Sequence, residues 1–247
     1  MKVIGAKART CFFYKKNGEI LPNWNLIYER KCKSTEYELD KYLKDNKIKI
    51  NPIAIIAKEQ LSGMGQHSRK WISPYGGIWL SAAYPIYSNQ FSAKTFSLSI
   101  ATHFCEMFAR ESIPVKLKWP NDIIFDSKKL VGFLPKVVTR GQQITYARIG
   151  IGMNLNNYTP KEGISLSEII PRRNYCEYKW TSKILKVICK AVIHNNANNK
   201  VINEANKYLE KNLLPRGYVN KGYSIKEIDL NGDLRIIDKG KVKILRF

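Results

Sequence analysis

The most informative pair of segments in the sequence is Lys118-Trp119-Pro120-Asn121-Asp122, followed after six residues by Lys129-Leu130-Val131-Gly132. The first segment ends a predicted strand, and Asp126-Ser127-Lys128 predicts the loop of a hairpin. The strand that returns from this loop places Lys129 near the same end of the sheet as Asp122. A lysine, an amide and a carboxylate lie close together here, and a proline fixes the turn. Such a group is either an ordinary polar turn or part of a site.

Two further segments place glycine next to polar or basic side chains. Residues 60–71 read QLSGMGQHSRKW, and residues 150–156 read GIGMNLN. Two glycines at one-residue separation let the backbone approach a ligand closely and offer N–H groups to an anion. The first segment has neither a helical nor a strand period, so it is predicted to be a loop. Taken alone, a surface loop without function is the ordinary interpretation.

Hydrophobic periodicity and turn residues predict the other elements. Strands are expected at 25–31, 53–57, 77–84, 115–119, 123–125, 130–138 and 144–151, and short strands are expected around Asn231-Gly232 and Lys239-Gly240. Helices are expected over 34–46, 92–112 and 179–194, with a continuation over 201–211. Thr35 and Glu38 have the spacing of a capping box at the start of the first helix.

The composition is that of an ordinary globular protein, with 44% hydrophobic residues in 247. Lys and Arg number 42 against 20 Asp and Glu, which gives a net charge of +22. The excess is spread along the chain, as an AT-rich coding genome would produce without functional demand. An acidic protein and a polynucleotide both remain admissible partners.

Several other function classes are disfavoured because the sequence lacks the patterns that are typical of them. Residues 1–25 contain no pair of helical periods joined by a tight turn, so no helix-turn-helix and no sequence-specific nucleic-acid binding are expected. No apolar run approaches the roughly 20 residues of a membrane helix, and we expect a soluble, cytoplasmic protein. The five cysteines are scattered and never form a CxxC pair, which disfavours disulfides and a zinc knuckle.

The four polar segments, in this order and at these separations, resemble those of the biotin protein ligases, where they occur as GRGRxGRxW, KWPND, KLAG and GxGxN. The resemblance covers roughly residues 26–170 and points to the form without an N-terminal DNA-binding domain. It implies an α+β fold with a mixed, largely antiparallel sheet and packed helices, similar to class II synthetases. It also implies a catalytic domain over 1–214, with 1–25 as an extension, and a small SH3-like β-domain over 215–247.

The resemblance also implies roles for individual residues. Three are expected to be catalytic: Lys129, Asp122 and Lys118. Those expected to bind biotin are Ser34, Thr35, Gln60, Gly63, Met64, Gly65, Gln66, Lys129 and Gly132. Those expected to bind ATP are Arg69, Trp71, Asn121 and Asn154, and Asp122 is the expected ligand of Mg²⁺.

The chain departs from the family pattern in the glycine segment and beyond it. Met64 and Gln66 stand where the family has two arginines, and Ser68 replaces its next glycine. Two charge-assisted contacts to the intermediate are therefore expected to be missing, unless His67, Arg69 or Lys70 substitutes for them. Glu36 stands where the family usually has Asn, and KLAGILVE ends here in Pro135-Lys136.

The resemblance therefore implies an ATP-dependent ligase that activates biotin as biotinyl-5′-AMP and transfers it to a lysine of a biotin carboxyl carrier protein. ATP and Mg²⁺ would be its cofactors, and a homodimer is left open. One alternative is a lipoate-type protein ligase, which shares the acyl-adenylate chemistry. A second alternative, from a different class, is a ligase-derived binding protein that has lost catalysis through Met64 and Gln66.

Overall fold

The computed structural model describes residues 5–15, 22–45, 50–66, 69–88, 91–171, 174–195, 198–215 and 222–246. Its helices are α1 (Ala6–Lys15), α2 (Thr35–Asp45), α3 (Ala93–Ala109), α4 (Leu166–Ile169), α5 (Glu177–Ile193) and α6 (Asn198–Tyr208). Its strands are β1 (Asn25–Glu29), β2 (Ile53–Ala57), β3 (Gln60–Met64), β4 (Lys70–Ser73), β5 (Ile78–Pro85), β6 (Lys116–Lys118), β7 (Asp122–Phe125), β8 (Lys128–Arg140), β9 (Gln143–Met153), β10 (Ser224–Ile228), β11 (Leu234–Asp238) and β12 (Lys241–Leu245).

The main sheet has seven strands in the order β1-β2-β5-β9-β8-β7-β6. β1 and β2 are parallel, and the other neighbours described in this sheet are antiparallel. The long central strands β8 and β9 pair with Gly132 opposite Gly152. This mixed, largely antiparallel sheet is the architecture that the family resemblance implies.

Helix α3 shows why the sequence forms these layers. Phe96, Ile100, Phe104 and Phe108 recur every fourth residue and are all buried on one helical face. Burial of each such side chain stabilises the fold by about 1.5–3 kcal/mol. Ser92 caps the helix by accepting a hydrogen bond from the backbone N–H of Thr95 at 3.4 Å. The predicted helix over 92–112 is therefore confirmed, with its end three residues earlier.

Helix α1 is an element that the sequence pattern does not predict. Its buried residues are Ala6, Thr10 and Tyr14, which lie four apart on one helical face. Only one of the three is large, so a search for apolar periodicity misses the stripe. The Tyr14 hydroxyl also accepts a hydrogen bond from the Trp24 indole at 3.1 Å, which ties this helix to the segment before β1.

Two local predictions are wrong. Residues 60–71 do not form a loop throughout: β3 and β4 pair as an antiparallel hairpin, with Gly63 opposite Trp71. The capping box is also misplaced, because α2 begins at Thr35 and the hydroxyl of Ser34 accepts the backbone N–H of Tyr37 at 3.1 Å. Ser34 is thus the N-cap residue.

The small sheet β10-β11-β12 lies near the end of the chain, as predicted. Ile228, Leu234 and Ile236 are buried in the same hydrophobic core as the main sheet. The indole N–H of Trp119 donates a hydrogen bond to the carbonyl of Gly232 at 3.0 Å, so the turn between β10 and β11 contacts the Lys118–Asp122 segment. Among the helices of the described residues, none is long and apolar enough to span a membrane.

None of the five cysteines, all of which lie in the described ranges, forms a disulfide bond. Cys32, Cys105 and Cys189 are buried. Burial raises the pKa of the Cys32 thiol to about 12, which keeps it protonated at neutral pH.

Candidate functional site

A lysine and a carboxylate from the two strands of the β7–β8 hairpin lie in contact. The turn at Asp126 and Ser127 takes positive φ values of 45° and 66°, and β8 then returns antiparallel to β7. Lys129 Nζ lies 2.6 Å from Asp122 Oδ1, with side chains 31% and 22% exposed. The expectation that these two residues lie together is confirmed. Lys118 is paired with Asp122 across β6 and β7, which brings a second lysine to the same sheet edge.

The floor beside this pair consists of glycines. Gly132 and Gly152 are cross-strand partners, and side chains at both positions would collide with the groups above them. A Cβ atom on Gly132 would lie 2.8 Å from Lys129 Nζ, and one on Gly152 would lie 2.6 Å from the Trp71 indole nitrogen. Glycine is required because only a bare backbone leaves room for these neighbours. We call Gly132, Gly150 and Gly152 the glycine floor.

Trp71 forms a roof over one end of the glycine floor. It comes from β4, and its ring centroid lies 4.6 Å from Lys129 Nζ, within cation–π range. Trp79 meets it edge-on at 6.4 Å between ring centroids. The hairpin β3–β4 therefore carries an aromatic ring to Lys129, a placement that the loop prediction could not give.

Hydroxyl and amide groups line the next part of the floor. The side-chain carbonyl of Gln60 accepts hydrogen bonds from the Thr35 N–H at 2.7 Å and the Thr35 hydroxyl at 3.1 Å. The Thr35 and Ser81 hydroxyls are 2.8 Å apart, and the Gln60 amide donates to the Ser73 hydroxyl at 2.8 Å. Thr35 and Gln60, two of the residues that the resemblance assigns to biotin, thus lie in contact. Ser73 and Ser81 were not predicted, since an isolated serine in a strand gives no sequence signal.

A buried ion pair closes the far end of the floor. Glu36 is 8% exposed, and its Oε2 lies 2.9 Å from Arg148 Nη2 and 3.9 Å from Lys136 Nζ. Arg148 also pairs with Asp40. Glu36 and Lys136, two of the positions at which the chain departs from the family pattern, are therefore neighbours in space. The sequence does not indicate this contact, because about a hundred residues separate the two positions along the chain.

The two asparagines that were predicted to bind ATP form hydrogen bonds to backbone carbonyls of the candidate site. The Asn121 amide donates to the Phe133 carbonyl at 2.6 Å, and the Asn154 amide donates to the Lys129 carbonyl at 3.1 Å. Both side chains are buried. Asn154 therefore fixes the backbone of Lys129, and binding of ATP by either residue stays a prediction.

The tip of the β3–β4 hairpin is more open. The Gly65 N–H donates to the Arg69 carbonyl at 2.7 Å, and Arg69 N–H donates to the Gln66 carbonyl at 3.1 Å. Met64 is 52% exposed and Gln66 is half-buried. His67 and Ser68 lie outside the described residues. Substitution for the missing arginines by His67 therefore stays a prediction, as does substitution by Arg69 or Lys70.

Known proteins resemble this chain in sequence over part of its length. It is 31% identical over 134 residues to the bifunctional ligase/repressor BirA of Bacillus spizizenii, a match that covers 53% of this chain and 41% of that protein. It is 26% identical over 104 residues to the biotin--[acetyl-CoA-carboxylase] ligase of Paracoccus denitrificans, which covers 41% of this chain and 43% of the relative. The chain thus spans less than half the length of these curated relatives.

Solved structures resemble it over most of its length. A biotin protein ligase from Aquifex aeolicus in complex with biotin and ATP has a TM-score of 0.71 at 21% identity, covering 90% of this chain and 96% of that chain. The Helicobacter pylori biotin acetyl coenzyme A carboxylase synthetase has a TM-score of 0.61, also at 21% identity, covering 91% and 100%. The predicted fold class is therefore confirmed. The sequence model of the Biotin/lipoate A/B protein ligase family matches residues 29–154. Because this match spans more than half of the 247 residues, the chain belongs to the biotin/lipoate A/B protein ligase family.

Proposed function

We propose that the protein activates biotin with ATP as biotinyl-5′-AMP and transfers the biotinyl group to a lysine of a biotin carboxyl carrier protein. The observation that carries the proposal is the Lys129–Asp122 pair at 2.6 Å beside the glycine floor. The bare glycines let Lys129 and Trp71 lie close to the sheet, and the polar groups around Thr35 and Gln60 suit a polar ring at the far end of the floor.

The first step joins two anions. A carboxylate oxygen of biotin bonds to the α-phosphorus of ATP, the bond to the bridging oxygen breaks, and pyrophosphate leaves. Repulsion between the reactants and the charge of the transition state both require fixed cations. Lys129 supplies one such cation at the floor, with its backbone held by Asn154. Lys118 and Arg69 would add positive charge on the phosphate side.

The second step transfers the acyl group. The amine nitrogen of the carrier lysine bonds to the acyl carbon, and AMP leaves with the electrons of the broken C–O bond. The amine must lose a proton, and a nearby carboxylate can accept or orient it. Asp122 has this place in the proposal, since its side chain is partly exposed and lies beside Lys129.

The nucleotide would lie on the side of Trp71 and the KWPND turn. Trp71 offers an aromatic face for adenine, and Asn121 and Asn154 border the same sheet edge. Mg²⁺ typically binds one or two carboxylates together with phosphate oxygens and water, and it would offset phosphate charge here. Within the described ranges no group of three or more His, Cys, Asp or Glu side chains forms a metal cage, so Asp122 with ATP phosphates fits Mg²⁺ better than a protein cage does.

The partner assigned by this proposal is an acidic carrier domain of acetyl-CoA carboxylase. A net charge of +22 would speed its encounter by electrostatic steering. We also propose that residues 1–214 form the catalytic domain, with 1–25 as an extension, and that residues 215–247 form a small β-domain. The reaction with such a carrier belongs in the cytoplasm.

The test is incubation with ATP, Mg²⁺ and radiolabelled biotin or lipoate, with and without a biotin carboxyl carrier domain. We expect label on the carrier lysine only when biotin and ATP are both present. Labelling with lipoate instead would show a lipoate-type ligase. Binding of biotin without pyrophosphate release or carrier labelling would show a protein that binds its ligand without catalysis.

A further inference from the structure

Glu36 contacts the glycine floor at Gly150, and Trp71 contacts it at Gly152, two residues further along β9. Alternate residues of a strand project to the same face, so Gly150 and Gly152 share one surface of β9. A Cβ atom on Gly150 would lie 3.0 Å from Glu36 Oε1. Ser81 is the cross-strand partner of Gly150, and its hydroxyl contacts that of Thr35. Glu36 therefore belongs to the polar end of the floor.

The two oxygens of this carboxylate have different surroundings. Oε2 accepts a hydrogen bond from Arg148 Nη2 at 2.9 Å. Oε1 is buried and makes no hydrogen bond with any group in the part of the chain that the structure describes. A buried polar atom without a partner is rare because it loses its water without replacement. Arg148 thus holds the carboxylate so that one acceptor faces Gly150.

Only a donor can satisfy this oxygen, since a carboxylate accepts hydrogen bonds and does not donate them. The cyclic urea of biotin carries two ring N–H groups. The dithiolane ring of lipoate carries none. A hydrogen bond from a ring N–H to a carboxylate is charge-assisted and roughly twice as strong as one between neutral groups.

We propose that Glu36, oriented by Arg148, is a specificity-determining residue whose Oε1 accepts an N–H of the substrate ring and thereby selects a cyclic urea over a ring without donors. The inference rests on the proposed function. Glu36 stands at a position where the chain departs from the family pattern, and in this proposal it contacts the substrate ring. Arg148 is a positioning residue that orients Glu36.

The experiment compares biotin with two derivatives, each methylated at one of the two ring nitrogens. Dissociation constants are measured by titration calorimetry for the wild type and for Glu36→Ala. For at least one derivative, we expect the wild type to prefer biotin by 100-fold or more. In Glu36→Ala that preference should fall at least tenfold, because the methyl group no longer meets a buried carboxylate. Glu38→Gln, on the same helical turn, should keep the wild-type preference.

A second variant guards against misfolding. Glu36→Gln keeps the shape but loses the charge, and we expect it to bind biotin at least fivefold more weakly while staying folded at the assay temperature, because Arg148 keeps Asp40 as a partner. An equal preference in wild type and Glu36→Ala, or unchanged biotin affinity in Glu36→Gln, would overturn the role of Glu36 alone. A wild-type protein that does not bind biotin would overturn the proposed function and this inference together.

Discussion

The glycine floor and the β3–β4 hairpin face each other across the candidate site, but they are held in place very differently. The floor lies on two central strands with a neighbour on each side, and added atoms at Gly132 or Gly152 would meet others within 2.6–2.8 Å. The hairpin is a separate two-stranded sheet whose Leu61, Met64 and Ile72 are each more than half exposed. The floor is therefore fixed by strands on both sides, whereas the aromatic roof is carried on an exposed two-stranded ribbon.

The largest effect is expected at the cation beside the floor. Lys129→Ala should lower the rate of adenylate formation by about 10²–10³-fold, the typical loss when one group that stabilises developing charge is removed. The fold should persist, since the side chain is partly exposed. The assay is ATP–pyrophosphate exchange with biotin. Lys128→Ala, at the exposed neighbouring position, is the matched control. A Lys129→Ala enzyme with more than a tenth of wild-type activity would contradict the assignment.

A steric test separates the floor from the hairpin directly. Gly152→Val should weaken biotin binding about 10- to 100-fold, because the new side chain meets the Trp71 indole and overpacking costs about 1–3 kcal/mol. Gly65→Ala in the hairpin should lose much less, since its Cβ would meet Arg69 atoms at 3.4 Å and 3.9 Å, which are ordinary contacts. Equilibrium dialysis with labelled biotin measures both. Equal losses would show that the two regions are equally rigid.

The same contrast explains what could be predicted from the sequence. The β7–β8 hairpin was predictable because turn residues at 126–128 separate two apolar runs, which places Lys129 and Asp122 on adjacent strands. Their contact also depends on the length of the lysine side chain, because Asp122 pairs with Gly132 rather than with Lys129. The β3–β4 hairpin was not, because an exposed ribbon with a glycine at its buried position shows no alternation of apolar residues. The Glu36–Arg148 pair was beyond reach for another reason: its partners are brought together only by tertiary structure.

A third test concerns the support behind the floor. Trp119→Phe should destabilise the protein by about 1–3 kcal/mol, because it removes the donor to the Gly232 carbonyl and leaves that acceptor unsatisfied. Ile72→Ala in the hairpin should change stability by no more than about 0.5 kcal/mol, as is usual at exposed positions. Urea unfolding curves give both values. If Ile72→Ala is the more harmful change, the hairpin is an integral part of the core.

The smallest effect is expected at the hairpin tip, where Met64 and Gln66 replace the two arginines of the family pattern. If that loss leaves the intermediate loosely held, the wild type should release biotinyl-adenylate and label bystander lysines. Met64→Arg with Gln66→Arg should then slow release about tenfold. Each charge-assisted hydrogen bond offers roughly 1.5–3 kcal/mol, but ordering a long exposed side chain costs up to about 2 kcal/mol.

Dissociation of preformed biotinyl-adenylate, followed by rapid filtration, measures this rate, and Met64→Lys with Gln66→Lys is the matched control. Lysine restores the charge but not the planar fork that arginine presents to phosphate, so it should slow release less. Equal slowing by both pairs would mean that charge alone holds the intermediate. A wild type that already releases it no faster than the arginine variant would mean that another cation, such as Arg69 or Lys70, reaches the intermediate. In that case Arg69→Ala or Lys70→Ala would accelerate release in the wild type, and the hairpin would be as well adapted to the intermediate as the floor is.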